Sequence, residues 1–249
     1  MKTGIREQKI ISILESRGEM SVSALSEYLG VSVSTLRKQL ADMQSRKLII
    51  RTYGGVMSAN RFPDETFDSK LHKSVSEKRR IATRARLLVH DGDSISLGSG
   101  TTVYALSNLL DDMDSATIYT NSMQAADFLA HCASLDVHIC GGIIRSATGT
   151  IIGNEAYNFF NGICVDCAFI SCDAIDDGEV YSDNIAVAAV ESAVLKNAKR
   201  KYVLCDSSKL GKRSIAHIIN LRECDALITG TSDSSVAEKL SYSINVDYV

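Results

Sequence analysis

From about residue 76 onward, short apolar runs alternate with amphipathic stretches, and this alternation constrains the fold more than any other feature of the 249 residues. The runs expected as strands are Ser94–Leu97, Ala116–Thr120, Val137–Cys140, Cys167–Ile170, Tyr202–Leu204 and Ala226–Thr229. Helical spacing marks Val103–Leu110, Met123–Cys132 and Val187–Ala198 between them. A strand that is apolar on both faces must be covered on both. Strands separated by helices return in the same direction. The expected architecture is α/β: a Rossmann-like domain with a mainly parallel sheet, spanning 76–249.

The first sixty residues obey a different rule. Ile10, Ile11, Ile13 and Leu14 form one apolar stripe at helical spacing, and Gly18 is expected to end that helix. Ser21 is placed to cap a second helix whose Leu25, Tyr28 and Leu29 face inward, and Gly30 to end it. Ser32 caps a third, carrying Leu36, Leu40 and Met43. Leu48–Tyr53 then reads as a strand, Gly54-Gly55 as a turn and Val56-Met57 as a returning strand. A small domain over 1–57 is expected, followed by a polar linker over 58–75 that holds Pro63, the only proline.

Charge separates the two parts. Residues 1–60 hold nine Lys/Arg against five Asp/Glu, a net of +4 within a chain whose total is −3. A basic head on an acidic body suits a polyanion partner for the head alone. No apolar run approaches the roughly 18 residues that would suggest a membrane span, and Met1–Gln8 is too polar for a secretory signal. The expected location is the cytoplasm. Seven cysteines at irregular spacing, several inside apolar runs, read as free thiols rather than a disulfide framework. Cys164-x-x-Cys167 lacks a second pair or a nearby histidine, so no metal is assigned. No catalytic triad or cofactor motif is found.

Ser21 to Arg46 has the spacing of a helix-turn-helix. The second helix of such a unit enters the major groove by its N-terminal end. Here that end carries Ser32, Val33, Ser34, Thr35, Arg37, Lys38 and Gln39. Short hydroxyls reach phosphates, arginine reads guanine and glutamine reads adenine. Arg51 and Tyr53, beside Gly54-Gly55, would form a wing on the flanking phosphates or the minor groove. By spacing alone, the same residues also fit a three-helix bundle with one solvated charged helix.

The specific signal is Ser32-x-x-Thr35-Leu36-Arg37 followed by Arg51-x-Tyr53-Gly54-Gly55. With Arg6, Ile10, Leu14, Gly18, Val22, Leu25, Leu29, Val31, Leu40 and Leu48, it resembles the N-terminal domain of the DeoR-type bacterial repressors. The resemblance implies a winged helix-turn-helix on double-stranded operator DNA. The chain departs where it has Lys38-Gln39-Leu40 for the usual Arg-Asp-Leu, and near Lys47, where a glycine is usual.

In the larger part, Gly98-Ser99-Gly100-Thr101-Thr102 follows an expected strand and opens an expected helix. Such a turn can cradle an anion, or simply connect strand to helix. Thr120-Asn121, Gly141-Gly142, Ser171-Cys172-Asp173 and Asp206-Ser207-Ser208-Lys209 fall at the same ends of other strands, the edge where open parallel sheets bind ligands. Lys209 is placed to neutralise phosphate, and Asp173 and Asp206 to accept from sugar hydroxyls. The Lys78-Arg79-Arg80 run reads as a solvated helix face, with Lys78 reaching the phosphate site as the alternative.

Glu77-Lys78-x-x-Ile81-Ala82, Asp91-Gly92-Asp93, the Gly98–Thr102 turn, Thr120-Asn121-Ser122, Gly141-Gly142, Gly153 and Asp206-x-x-Lys209 extend the resemblance to the DeoR-type sensor domain. That domain is similar in fold to ribose-5-phosphate isomerase and the coenzyme A transferases. The resemblance implies a small phosphorylated metabolite as effector, a homo-oligomer (dimer or tetramer), and repression of a carbohydrate catabolic operon. Two segments depart from the family: Ser171–Ile175 replaces a glycine-rich loop, and Val187–Glu191 replaces Glu-Ala-Glu-Val-Lys. An isomerase-like enzyme with a DNA-binding appendage, and a DNA-binding protein with a decayed sensor, remain the alternatives.

Overall fold

The computed structural model describes residues 3–17, 20–46, 48–51, 55–58, 65–230 and 245–249. The chain divides into two compact units, Met1–Glu65 and Thr66–Val249.

In the first unit, α1 (Thr3–Arg17), α2 (Val22–Leu29) and α3 (Val33–Ser45) precede an antiparallel pair, β1 (Ile49–Arg51) and β2 (Val56–Ser58). The capping logic of the sequence holds. Ser21 Oγ accepts from Ala24 N at the start of α2, and Ser32 Oγ from Thr35 N at the start of α3. Gly30 ends α2 in the left-handed conformation, φ 64°, a region that side chains with a Cβ avoid. Ile10, Ile13, Leu14, Leu25, Leu36, Leu40, Met43, Ile49 and Val56 form one buried cluster. Tyr28, expected inside, is 50% exposed. The inner stripe of α2 runs through Leu25, Ser26 and Leu29, and residue 28 falls just off it. Gly18, Tyr53 and Gly54 lie outside the described residues.

Removing the α3 cap tests this local account. Ser32→Ala is expected to destabilise the first unit by about 1 kcal/mol, read as a lower melting temperature of that unit.

The second unit is built on a seven-stranded sheet in the order β14-β13-β11-β8-β3-β4-β5, every neighbouring pair parallel. Its strands are β3 (Ser94–Leu97), β4 (Ala116–Thr120), β5 (Leu135–Ile139), β8 (Val165–Ser171), β11 (Ala198–Cys205), β13 (Ala226–Thr229) and β14 (Val246–Tyr248). Alternate side chains of β8 feed two different cores. Cys167 and Phe169 join Ile95, Leu97, Ile118 and Leu204 beneath α5 (Val75–Arg86) and α6 (Thr101–Ser107). Ala168 and Ile170 join Val203 and Leu227 beneath α8 (Asn154–Asn161) and α9 (Ile185–Lys196). This two-sided burial is why the strands read as continuous apolar runs. The helix α7 (Met123–Leu129) follows β4.

Three features fall outside the expected pattern. A hairpin, β6 (Ile143–Arg145) with β7 (Thr150–Ile152), follows β5. Strands β9 (Ala174–Asp176), β10 (Glu179–Ser182) and β12 (Ala216–Asn220) form a small antiparallel sheet in the order β12-β10-β9. The stretch expected as linker is partly folded: Thr66 caps a short helix α4 (Phe67–Leu71) within the second unit. Phe67 packs edge-on against Tyr104, and its amide donates to the Ala147 carbonyl at 2.9 Å.

Candidate functional site

The chain leaves β3 to build β4 and β5 on one side, then returns to build β8, β11, β13 and β14 on the other. The order reverses between β3 and β8, and a crevice forms outside the strand ends at such a reversal. The loops after these two strands, Gly98-Ser99-Gly100 and Ser171-Cys172-Asp173, meet there. Ser171 Oγ donates to the Ser99 carbonyl at 2.8 Å. Thr101 and Thr102, buried, begin α6, and Gly100 precedes them.

Glu191 of α9, which the sequence reading missed as a site member, joins the loops after β3 and β4. Glu191 of α9 is 1% exposed. Its Oε1 accepts from Ser99 N at 2.9 Å, Ser99 Oγ at 2.6 Å and Asn121 Nδ2 at 3.4 Å. Gly98 makes room for it: a Cβ at position 98 would lie 2.1 Å from Glu191 Oε2. Among the described residues, Glu191 Oε2 and Asn121 Oδ1 are buried with no hydrogen-bond partner. Burial pushes the Glu191 carboxyl up to about 7, against the opposing pull of the Ser99 donors.

Several expected site residues are engaged in holding their own loops. Thr120 Oγ1 accepts from Ser122 N at 3.0 Å. Asp206 Oδ1 accepts from Ser208 N at 3.2 Å and from Ser208 Oγ. Glu77 of α5 takes Ser207 N at 2.6 Å and Ser207 Oγ at 3.1 Å, tying the 206–209 loop to that helix. Lys209 is half-buried in this loop. Gly141 and Gly142 lie exposed between β5 and β6, at the β5 end of the same edge.

Asp173 is tied to protein groups as well. It accepts from Lys70 Nζ at 2.7 Å, and from Ser182 Oγ and Asp183 N at 3.1 Å each. Burial raises this carboxyl, but the Lys70 ammonium and these donors outweigh it and hold it at about 2. A depressed carboxyl contributes stability above its ordinary 3.8, and that contribution fades as pH falls toward 2. Asp173→Asn is therefore expected to cost about 2 kcal/mol at pH 7 and about 1 kcal/mol near pH 3. Urea unfolding at the two pH values measures the difference. Lys78, expected on a solvated face, is 5% exposed, and its Nζ donates to the Lys70 carbonyl.

In the first unit, Ser32, Ser34, Thr35, Arg37 and Lys38 are exposed along the start of α3. Ser32 Oγ lies 2.8 Å from Thr35 Oγ1 and 3.1 Å from Ser34 Oγ, so cap and hydroxyl cluster coincide. Arg51 Nη2 donates to the Arg37 carbonyl at 3.1 Å, fixing the hairpin to α3. Gln39 is the correction on this helix. At 9% exposure it turns inward between Leu36, Leu40 and Met43, three residues on from Leu36 in a 3.6-residue period. In the free chain its side chain is thus covered, unlike those of Arg37 and Lys38.

The described residues contain no group of three or more His, Cys, Asp or Glu that could hold a metal ion. No described helix is long and apolar enough to cross a membrane. All seven cysteines are free, with Cys140, Cys167 and Cys205 buried and Cys164 exposed.

Residues 6–62 match the DeoR-like helix-turn-helix domain, and residues 73–231 match the DeoR C-terminal sensor domain. The lactose phosphotransferase system repressor of Staphylococcus epidermidis is 30% identical over 245 residues, covering 97% of this chain and 97% of its own. The glycerol-3-phosphate regulon repressor of Haemophilus influenzae is 29% identical over 241 residues, covering 96% and 94%. Among solved structures, ribose-5-phosphate isomerase A of Methanocaldococcus jannaschii is 21% identical over 53% of this chain and 52% of its own, with a TM-score of 0.39. With both domains matched in order and a repressor aligned along nearly its whole length, the chain belongs to the DeoR family of DNA-binding transcription regulators.

Proposed function

We propose that the protein represses a carbohydrate catabolic operon and leaves its operator when a phosphorylated sugar or related metabolite binds the sensor domain. The observation that carries this reading is the pairing of two sites in one chain. One is an exposed, hydroxyl-rich and basic face on α3; the other is the edge of a parallel sheet at its reversal point, where the loops that carry Ser99, Asn121 and Asp173 follow β3, β4 and β8. The names of the two relatives, a lactose-system repressor and a glycerol-3-phosphate regulon repressor, support the chemical class of the signal.

The protein acts as a cytoplasmic regulator rather than an enzyme, and as a homo-oligomer, dimeric or tetrameric. In a two-fold assembly the half-sites lie about one helical turn apart or a multiple of it. Release requires that the effector bind the DNA-free arrangement more tightly than the DNA-bound one.

The test is fluorescence anisotropy of the full chain on DNA from upstream of its own coding region, with a panel of sugar phosphates added. Binding that one compound reverses supports the reading. DNA binding that no phosphorylated compound alters, with no compound raising the melting temperature, points instead to a decayed sensor. Turnover of any sugar phosphate favours the enzyme alternative.

A further inference from the structure

We propose that Glu191 is a resident anion: its carboxylate occupies the Ser99 donors of the sensor crevice, so that an effector anion is admitted there only as Glu191 takes up a proton. This inference rests on the reading of the crevice as the effector site and deepens it.

Three geometric observations carry it. First, Ser99 N and Ser99 Oγ both point at a single Glu191 oxygen, at 2.9 and 2.6 Å. An amide and a hydroxyl converging on one carboxylate oxygen are the donors that an oxygen of a bound phosphate or sulfate would use. Second, the carboxylate lies against Gly98, with Oε2 too near for any Cβ to stand at that position. Part of the loop's lack of side chains is thus occupied by the protein itself. Third, Glu191 Oε2 and Asn121 Oδ1 are buried acceptors without partners among the described residues. An orphan acceptor on an ionised carboxylate is costly, whereas a protonated carboxyl offers a donor there.

An external anion and an ionised Glu191 cannot share these donors, because two like charges at contact repel strongly in a buried site. The charged and titratable groups that bear on Glu191 from the surrounding elements are Asp173 after β8, its partner Lys70 of α4, and Cys140 after β5. Asp206 and Lys209 stand on the same edge, after β11. Asp173 is held low, and burial pushes the Cys140 thiol up to about 12, so neither changes charge between pH 6 and pH 9. Glu191, raised to about 7, does change charge in that range.

The probe is sulfate, whose charge stays constant from pH 5 to pH 9, titrated calorimetrically into the full chain at fixed ionic strength. The parent protein is expected to bind sulfate about tenfold more weakly for each pH unit above 7, and with little pH dependence below 6. In buffers of different ionisation enthalpy, it should take up close to one proton per sulfate at pH 8. E191Q removes the charge, and its neutral amide oxygen, a weaker acceptor than a carboxylate, yields the Ser99 donors to an incoming anion at lower cost. It should bind with a flat pH profile, and at pH 8.5 at least tenfold more tightly than the parent. Adding Ser99→Ala to E191Q should weaken sulfate again and so locate it. If the parent binds as tightly as E191Q, with no proton uptake, the resident anion is overturned while the effector site stands. If neither protein binds sulfate at any pH, both fall. The proton count needs only the parent protein, so the test holds even if a variant misfolds.

Discussion

Between pH 4 and pH 8, the stability advantage of Glu191→Gln over the parent protein will grow by about 3 kcal/mol. The Glu191 side chain is fully buried at the crevice, and burial lifts its carboxyl from 4.5 to about 7. A group whose folded pKa lies above its unfolded value contributes most below the unfolded value. Its contribution is then lost as pH rises through the folded one. For Glu191 the window runs from 4.5 to about 7, and the loss is complete at pH 8. Glutamine carries no proton to lose, so its stability has no such slope. It still offers an oxygen to Ser99 N and Ser99 Oγ.

In a unit of this size, 3 kcal/mol corresponds to roughly 6–12 °C in melting temperature. The measurement is a pair of thermal or urea unfolding series across the pH range, in which groups other than Glu191 cancel between the two proteins. Parallel curves would mean that Glu191 ionises in the folded state as easily as in the unfolded one, and that it does not control the Ser99 donors through its proton.

The sheet was legible because its chemistry is repetitive. β3, β4 and β13 coincide with Ser94–Leu97, Ala116–Thr120 and Ala226–Thr229, since each is a short apolar run bounded by turn residues. β5, β8 and β11 extend beyond their expected cores by residues such as Asp136, Asp166 and Lys199, whose polarity hides a strand that pairing nevertheless continues. The hairpin β6–β7 and the antiparallel strands β9, β10 and β12 were not legible. They are as short as β3 or β13 but mix in polar residues such as Arg145, Thr150, Asp176, Glu179 and His217, so no continuous apolar run marks them. α4 hides for a related reason: only Phe67 and Leu71 are apolar in a polar stretch, and its place is set by a tertiary contact, Phe67 on Tyr104.

The site was legible as a set of loops but not as a set of contacts. The edge of the sheet and its five polar turns follow from the strand pattern. Which side chain occupies the crevice does not, because Glu191 comes from a helix some 90 residues beyond Ser99, a separation visible only in the folded chain. One signal was present. Val187–Leu195 is aliphatic around its whole circumference apart from Glu191 and Ser192, and an acid on a helix buried that deeply needs a partner or a proton. Gln39 shows the opposite case: its residue type suits adenine, while its position on α3 places it with the buried Leu36, Leu40 and Met43.

On DNA, the same distinction between residue type and residue position separates three substitutions on one helix. Arg37 is exposed on α3, and its carbonyl is anchored by Arg51, so the backbone that carries its side chain is held against the hairpin. A guanidinium presented from a fixed helix can make two hydrogen bonds to one guanine edge, and each such pair discriminates by roughly 1–3 kcal/mol. Arg37→Ala should weaken operator binding about 10- to 100-fold and reduce the ratio of operator to random-sequence affinity by nearly as much. Lys38, exposed beside it, contributes charge without a fork. Lys38→Ala should weaken operator and random DNA alike, and lower the slope of log affinity against log salt by about one. Gln39→Ala should leave the specificity ratio intact and lower the melting temperature of the first unit, because the residue packs inside it. Anisotropy titrations at several salt concentrations, on operator and random duplexes, distinguish the three. An unchanged specificity ratio in Arg37→Ala would mean that α3 does not read bases through this residue. A collapse of that ratio in Gln39→Ala, with stability unchanged, would mean that the helix rotates on DNA to expose a side chain buried in the free protein.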